Sequence, residues 1–321
     1  MRRYAGCAVV LAFALAGAAA AAQSYPARPV RMIVPSGAGG VTDVLARIIA
    51  HRLGEKLGQQ VVIDNRPGAS GIVGSQIVAN AAPDGYTLLM VFPSHVVNPS
   101  LFASVPYDTV MAFAPITIVS TVSLLLTVNG DFPAKSVPEL IAFAKAKPGQ
   151  LNYGTVGSGS LGHLGSELLR SMARITATQI AYKGSPQILS ALIGGEINMY
   201  MVASISGVMP HIKTGRVRAL GVSSKQPLPI LPNVPPIADT LPGYEARGWN
   251  GILAPAGTPK HIIDRLHQEI VAIVRSPEFG QNLAAEGAIA VGNTPAEFDA
   301  IVRADIRKWA AVIREAGIKG E

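Results

Sequence analysis

The chain has 321 residues, with 27 lysine and arginine residues, 20 acidic residues and a net charge of +7. The basic residues are scattered, with no run of three, which argues against a nucleic-acid-binding surface. Beyond its N-terminal segment the chain is longer than one ordinary domain, so two lobes are expected.

Residues 1–22 have the composition of a cleavable export signal. Arg2 and Arg3 form a positive n-region, residues 8–15 form a short apolar core, and an alanine run allows cleavage before Gln23. The apolar run is too short to span a membrane, and no other stretch reaches eighteen uninterrupted apolar residues. We therefore predict a signal peptide and a periplasmic mature chain.

Removal of this signal changes the charge and removes the only thiol. Without Arg2 and Arg3, 25 of the 27 basic residues remain against 20 acidic ones, a net charge of +5, which suits an anionic small molecule. The only cysteine, Cys7, lies inside the signal, so neither a disulfide nor a cysteine-ligated metal is expected. The histidines show no H-E-x-x-H pattern, so no metal site and no cofactor are predicted.

The first part of the mature chain predicts alternating strands and helices. Predicted strands are 30–34, 61–64 and 87–92, and predicted helices are 44–57 and 72–81. An apolar, β-branched run at 116–128 predicts a strand that crosses to a second lobe. Because helices stand regularly between strands, the sheets are expected to be mostly parallel.

The rest of the chain predicts a second lobe and a return to the first. Its predicted strands are 151–153, 179–182, 197–202, 217–222 and 249–254, and its predicted helices are 138–146, 164–172, 186–193, 259–274 and 296–316. Six prolines between residues 225 and 248 predict a linker. The expected domains are the first lobe at 23–122 and 248–321, the second lobe at 123–225 and the linker at 226–247, with a hinge at the two crossings.

A glycine-rich turn with the sequence Y-G-T-V-G-S-G-S-L-G-H separates the strand at 151–153 from the next helix. Its glycines let the backbone approach a guest closely, and the first N–H groups of the helix have no intrahelical partner. Such a turn favours an anion. The predicted ligand-binding residues here are Thr155, Gly157, Ser158, Gly159 and Ser160.

The segment P-S-G-A-G-G-V-T, at 35–42, repeats this strand–turn–helix construction. Thr42 or Asp43 would cap the helix at 44–57, and Asp43 would either do so or bind a ligand amine; capping is the favoured role. We expect the two turns to face each other across a cleft. The predicted ligand-binding residues of this turn are Ser36, Gly37, Ala38, Gly39, Gly40, Thr42 and Asp43.

Two further side chains join the predicted site. His163 lies one turn into the helix after the second turn, where it would hydrogen-bond the loop backbone or contact the ligand; the structural role is favoured. Lys183 ends a predicted parallel strand, where α/β proteins collect ligands; it would either contact the ligand or be a solvated surface lysine, and both roles stay open. The stretch 157–162 matches G-x-G-x-x-G, but no acidic residue stands near the position that would hold a ribose, so a dinucleotide site is rejected.

The motifs R-P-V-R-M-I-V-P-S-G-A-G-G-V-T-D, V-I-D-N-R-P-G-A-S-G, Y-G-T-V-G-S-G-S-L-G-H-L and G-I-L-A-P-A-G-T-P together closely resemble the Bug (TctC-like) family, from about Arg28 to Ile318. That family consists of periplasmic substrate-binding proteins of tripartite tricarboxylate transporters. The resemblance implies a two-lobed α/β fold of the type II periplasmic-binding-protein kind. It also implies that the loops at 35–43 and 155–163 hold a carboxylate-bearing metabolite. Ser36 departs from the family pattern, where an aromatic residue is common.

We therefore expect a monomeric, non-enzymatic receptor that captures a small carboxylate and delivers it to the inner-membrane permease subunits of a tripartite tricarboxylate transporter. Two alternatives stay open. The receptor would instead signal the presence of ligand to a sensor protein, or the chain would be a carboxylate-processing enzyme. For the enzyme, only Ser160 and His163 stand at a spacing that would join a nucleophile to a base.

Overall fold

The computed structural model describes residues 25–39, 41–157, 159–284 and 286–318. The predicted signal peptide, 1–22, lies outside the described residues and stays a prediction. Within the described part of the chain, no helix is both long enough and apolar enough to cross a membrane.

Strands and helices alternate along the described chain. The strands are β1 (Val30–Val34), β2 (Val61–Asn65), β3 (Thr87–Val91), β4 (Phe113–Ser123), β5 (Leu125–Asn129), β6 (Asn152–Thr155), β7 (Thr178–Ala181), β8 (Met199–Val202), β9 (Val217–Val222), β10 (Arg247–Pro255) and β11 (Ala288–Ala290). The α-helices are α1 (Val41–Leu57), α2 (Ile72–Ala79), α3 (Ser94–Leu101), α4 (Val137–Ala146), α5 (Leu161–Ala173), α6 (Ser185–Gly194), α7 (Ile205–Lys213), α8 (Lys260–Val274), α9 (Pro277–Ala284) and α10 (Pro295–Ala316).

The strands form two sheets. The first has the order β11-β4-β10-β3-β1-β2 and the second the order β7-β6-β8-β5-β9. β1 runs parallel to β2 and β3, and β6 runs parallel to β7 and β8, whereas β10 and β5 are antiparallel to both of their neighbours. The predicted α/β architecture is confirmed. The expectation of mostly parallel pairing is wrong, because the strands next to the crossings run against their neighbours and make both sheets mixed.

The chain passes between the sheets twice, and the crossing points are hydrogen-bonded to each other. β4 of the first sheet is followed by Leu124 and then by β5 of the second sheet. The Leu124 N–H donates to Ser223 Oγ at 2.7 Å, and the Ser223 N–H donates to the Leu124 carbonyl at 2.9 Å. Ala246, just before β10, donates its N–H to the Ser223 carbonyl at 3.2 Å.

The first sheet is buried on both faces. Met32 and Val34 of β1 belong to an apolar cluster with side chains of α1 and α8, whereas Ile33 belongs to a second cluster with Phe298 and Trp309 of α10. This alternation follows from the two-residue period of a strand, since successive side chains point to opposite faces. Helices on both sides therefore hold the carboxyl ends of β1 and β3 in fixed positions.

Helix α10 begins at a complete capping box. The Thr294 side chain accepts a hydrogen bond from the Glu297 N–H, and the Glu297 carboxylate accepts one from the Thr294 N–H at 2.8 Å. Pro295 fits the first helical turn, where its missing N–H costs no hydrogen bond. These signals explain why the start of this helix was predictable to within one residue.

Candidate functional site

The two glycine-rich turns follow β1 and β6 at the carboxyl ends of the parallel strands. We call residues 35–40 the first loop and residues 156–160 the second loop. Ligands of α/β proteins collect at such ends, particularly where the chain turns from a strand into a helix. Two of the predicted ligand-binding residues, Gly40 and Ser158, lie outside the described residues, so their roles stay predictions.

The first loop is held by a buried carboxylate. Asp43 is only 2% exposed. Its Oδ2 accepts hydrogen bonds from the Gly39 N–H and from Arg47 Nε, both at 2.9 Å, and its Oδ1 accepts one from Asn65 Nδ2 at 2.9 Å. Asn65 Nδ2 also donates to the Ser36 carbonyl at 3.1 Å. Asp43 therefore faces the loop backbone, which favours a structural role over binding a ligand amine.

The start of α1 corrects one prediction. The helix begins at Val41, three residues before the predicted start at 44, so Thr42 and Asp43 lie inside its first turn and neither is the residue that precedes it. The predicted start was too late because helix starts are read from the spacing of buried apolar residues. Val41 and Val44 are exposed, so the first turn of this helix does not contribute to that spacing. The carboxylate of Asp43 instead reaches back from the first turn to the Gly39 N–H.

The contacts of Asp43 make the stability of the protein depend on pH. The hydrogen bond from Arg47, supported by the Gly39 N–H and Asn65, lowers the pKa of Asp43 from 3.8 to about 2. A depressed carboxylate pKa stabilises the fold at pH values above the unfolded pKa, and this stabilisation is lost as the pH falls through the folded pKa.

We therefore expect Asp43→Asn to lower the free energy of unfolding at neutral pH by about 1 to 2 kcal/mol. The difference from wild type should shrink as the pH is lowered from about 4 toward 2. Urea unfolding at several pH values measures this gap. Asp131→Asn, at an exposed carboxylate without an ion pair among the described residues, is the control. A gap that stays constant across the acid range would contradict this role of Asp43.

The second loop is fixed by the first turn of α5. Ser160 is the N-cap of this helix, and its Oγ accepts the His163 backbone N–H at 3.3 Å. His163 is 3% exposed, and its Nδ1 accepts the Gly159 N–H at 3.1 Å. Burial lowers the pKa of His163, so the ring is neutral at neutral pH and Nε2 carries the hydrogen. His163 thus holds the loop backbone, the structural role that was favoured.

Thr155, the last residue of β6, hydrogen-bonds the backbone of the second loop. It is 1% exposed, and its Oγ1 accepts hydrogen bonds from Gln179 Nε2 at 2.9 Å and from the Gly157 N–H at 3.4 Å. Its carbonyl accepts the Tyr182 N–H at 2.8 Å. Lys183 is the next residue, exposed at the same end of the sheet. Thr155 and Lys183 therefore lie at the same end of the second sheet as the loop, the first buried and the second exposed to solvent.

Strand β10 brings the two helix starts together. Thr42 Oγ1, in the first turn of α1, donates to Asn250 Oδ1 at 3.0 Å. Two residues earlier, Gly248 lies so close to Leu161 of α5 that a Cβ added to it would be 2.7 Å from Leu161 Cδ2. Residues 248 and 250 lie on one face of the strand, about 7 Å apart. The amino ends of α1 and α5 therefore approach the same face of β10.

The segment from Phe92 to Leu101 also reaches both loops. A Cβ added to Gly71 would lie 3.3 Å from the Phe92 ring and 3.4 Å from Pro35, which begins the first loop. At the other end of α3, a Cβ added to Gly159 of the second loop would overlap the side chain of Leu101. α3 thus fills the space beside the two loops and limits how they can be arranged.

The chemistry of this arrangement suits binding better than catalysis. Ser160 Oγ accepts the His163 backbone N–H, and His163 Nδ1 accepts the Gly159 N–H, so that nitrogen cannot serve as a base for the hydroxyl. No cluster of metal-ligating side chains occurs among the described residues. The first turn of α5 contains no acidic residue, which leaves its positive end open to an anion.

Three polar side chains near the loops were missing from the sequence prediction. They are Asn65, Gln179 and Asn250, and each hydrogen-bonds a residue of a predicted turn or helix start. Asn65 and Gln179 belong to strands parallel to β1 and β6, so their proximity depends on strand order. Asn250 had a local signal, since asparagine is depleted in strands.

Residues 45–318 match the model of the tripartite tricarboxylate transporter family receptor, TctC. The chain belongs to this receptor family. The family consists of periplasmic solute-binding proteins and not of enzymes. The predicted resemblance to the Bug (TctC-like) family is therefore confirmed, and the alternative of a carboxylate-processing enzyme is excluded.

Individual relatives match almost the whole receptor. BugT of Bordetella pertussis is 38% identical over 311 residues, covering 95% of each chain. The structure of Rpa4515 from R. palustris with adipate is 36% identical, with a TM-score of 0.76, and covers 92% of this chain and 100% of that one. MatC from Rhodopseudomonas palustris with bound malate is 28% identical, with a TM-score of 0.72, and covers 90% and 100%. These likenesses confirm the periplasmic-binding-protein fold.

Proposed function

We propose that this receptor captures a small carboxylate between the first and second loops. The observation that carries the proposal is the approach of Thr42 and Leu161 to one face of β10, which brings the amino ends of α1 and α5 to the same place. Helix amino ends present unpaired N–H groups and a positive dipole. Two such ends directed at one space favour a ligand with negative charge.

Hydroxyl groups would add to these backbone donors. Ser36 Oγ is buried and has no hydrogen-bond partner among the described residues, so a ligand or a bound water would satisfy it. Ser160 uses its oxygen as an acceptor and keeps its own hydrogen to donate. Micromolar affinity corresponds to about 8 kcal/mol, and a few hydrogen bonds to a charged carboxylate in a closed cleft are strong enough to provide it.

The related structures support the ligand class. Rpa4515 was solved with adipate and MatC with malate, and both ligands are dicarboxylates. For this receptor the sequence adds a net positive charge, which favours capture of anions. We therefore expect a mono-, di- or tricarboxylate that is small enough to contact both loops.

Closure of the two lobes would complete the site. We place the first lobe at 23–122 and 248–321 and the second at 123–225, joined by the linker 226–247. The hydrogen-bonded crossing at Leu124, Ser223 and Ala246 is where a hinge would bend. The closed, monomeric receptor would then deliver its ligand from the periplasm to the inner-membrane permease subunits of a tripartite tricarboxylate transporter.

Thermal-shift screening tests ligand capture. The mature receptor would be heated with acetate, malate, adipate and citrate at matched ionic strength. At least one of these anions should raise the melting temperature, because a ligand that binds only the folded state stabilises it. No shift with any of them, extended to a broad carboxylate panel, would contradict the proposed function.

Delivery is tested separately from capture. A strain lacking the gene should lose growth when the bound carboxylate is its only carbon source, and the wild-type gene should restore growth. Normal growth, together with loss of a transcriptional response to that carboxylate, would instead identify the receptor as the adaptor of a sensor protein.

A further inference from the structure

Asn250 is the one polar residue within the stretch 248–255 of β10, whose other residues are all apolar or glycine and buried. β10 has the sequence R-G-W-N-G-I-L-A-P, and the five residues that follow Asn250 are all buried. Asn250 itself is half-buried. Asparagine packs poorly in strands, so its side chain requires a specific polar environment.

The hydrogen bonds of Asn250 leave one donor unused. Its Oδ1 accepts Thr42 Oγ1 at 3.0 Å, and its Nδ2 donates to Ser120 Oγ at 3.4 Å. An amide nitrogen carries two hydrogens. If the amide were turned over, Nδ2 would donate to Thr42 and again keep one hydrogen. In either orientation, one N–H has no partner among the described residues.

The neighbours of Asn250 show which face of β10 it occupies. Trp249 donates its Nε1–H to Asp305 Oδ2 at 2.8 Å and packs edge-on against Phe298, both on α10. Gly251 lies against the same Phe298 ring. Because side chains alternate along a strand, Asn250 points to the opposite face, where Thr42 lies.

The neighbours of Gly248 show which residues lie beside that face of β10. It lies two residues from Asn250, and Leu161 and Pro93 fill the space where its side chain would be. Asn250 is therefore the side chain of β10 that faces the space between the start of α1 and the start of α5. Like the backbone N–H groups at the start of the two helices, its unused N–H carries a partial positive charge, and it faces the same space.

We infer that Asn250 is a ligand-binding residue that donates its unused amide N–H to the captured carboxylate, while its other contacts orient Thr42. This inference rests on the proposed function. It assigns part of the ligand-binding site to a residue of β10, outside both glycine-rich loops.

The Asn250→Asp variant separates ligand binding from a purely positioning role. Aspartate has nearly the same size and keeps an oxygen that accepts the Thr42 hydroxyl, but it replaces the free donor with a negative charge. We expect its affinity for the tightest-binding member of the acetate, malate, adipate and citrate panel to fall at least tenfold in isothermal titration. If Asn250 only positions Thr42, affinity should stay within about twofold of wild type.

Two further variants complete the test. Asn233→Asp introduces the same charge at an exposed position of the proline-rich segment and should bind like wild type. Asn250→Ala removes the donor without adding charge and should weaken binding less than Asn250→Asp does. Melting curves establish that each variant is folded. If Asn250→Asp does not fold, Asn250→Ala is compared with Thr42→Val, which removes the same hydrogen bond between Thr42 and Asn250 but keeps the amide donor. A larger loss of affinity in Asn250→Ala supports the inference, and equal losses overturn it.

The outcomes distinguish this inference from the proposed function. Wild-type binding with equal affinity in Asn250→Asp and Asn233→Asp would overturn the inference and leave carboxylate capture standing. Equal weakening in both variants would also overturn it, because the effect would then come from net charge. Absence of binding by the wild-type receptor across the panel would contradict the proposed function itself.

Discussion

A Gly157→Val variant should bind its carboxylate about a hundredfold more weakly than the wild-type receptor. Gly157 has a φ of 126°, a backbone conformation that is almost restricted to glycine and that a β-branched residue adopts only at high cost. A valine would force the second loop into another shape and move its N–H groups. A hundredfold loss corresponds to about 2.7 kcal/mol. Isothermal titration measures it.

Gly149→Val is the matched control for this prediction. Gly149 precedes β6 and Gly157 follows it, both have a positive φ, and a Cβ at either position meets nothing within 4 Å. The two variants should therefore lose similar amounts of stability, while only Gly157→Val loses affinity. Wild-type affinity in Gly157→Val would exclude the second loop from the site.

Introduction of a carboxylate into the second loop should weaken binding to a similar extent. Val156 directly follows β6 and is 47% exposed. For an assumed separation of about 6 Å between the new charge and the bound carboxylate, and an effective dielectric constant of about 20, the repulsion costs about 3 kcal/mol. We therefore expect Val156→Asp to lower affinity by roughly a hundredfold. Part of this loss should disappear at high salt, because ions screen exposed charges.

Ile289→Asp is the control for the added charge. Ile289 has the same exposed fraction, 47%, but it lies on the edge strand β11 and not in a loop that faces the proposed cleft. This variant should bind like wild type. If the two aspartate variants weaken binding equally, the receptor responds to net charge and the local argument fails.

The elements that carry strong local signals were predictable from the sequence. β1 and β9 were predicted with the observed bounds, and α10 begins at a proline that follows an N-cap threonine. Helices α3 and α7 were not predicted, because α3 contains Pro99 and α7 contains Pro210, residues that usually end helices. In α3 the buried Val96 and Val97 pack against the core, and this tertiary burial outweighs the weak local preference.

In the candidate site, too, the residues with a local sequence signature were predictable, and the residues that only the fold brings together were not. The glycines and hydroxyl residues of both loops were visible because a turn between a strand and a helix has a local signature. Asn250 lies 208 positions from Thr42, so only the folded sheet brings the two together. The role of Asp43 was visible only in part, because its hydrogen bond to Asn65 depends on the pairing of β1 with β2.

Hydrogen exchange with and without the carboxylate identified by thermal shift tests the central claim most directly. If the ligand lies between the two loops, peptides that cover residues 35–43 and peptides that cover residues 155–163 should both exchange more slowly when it is bound. The peptide around Gly149 should not change. Protection of only one loop, or protection elsewhere with both loops unchanged, would contradict the account.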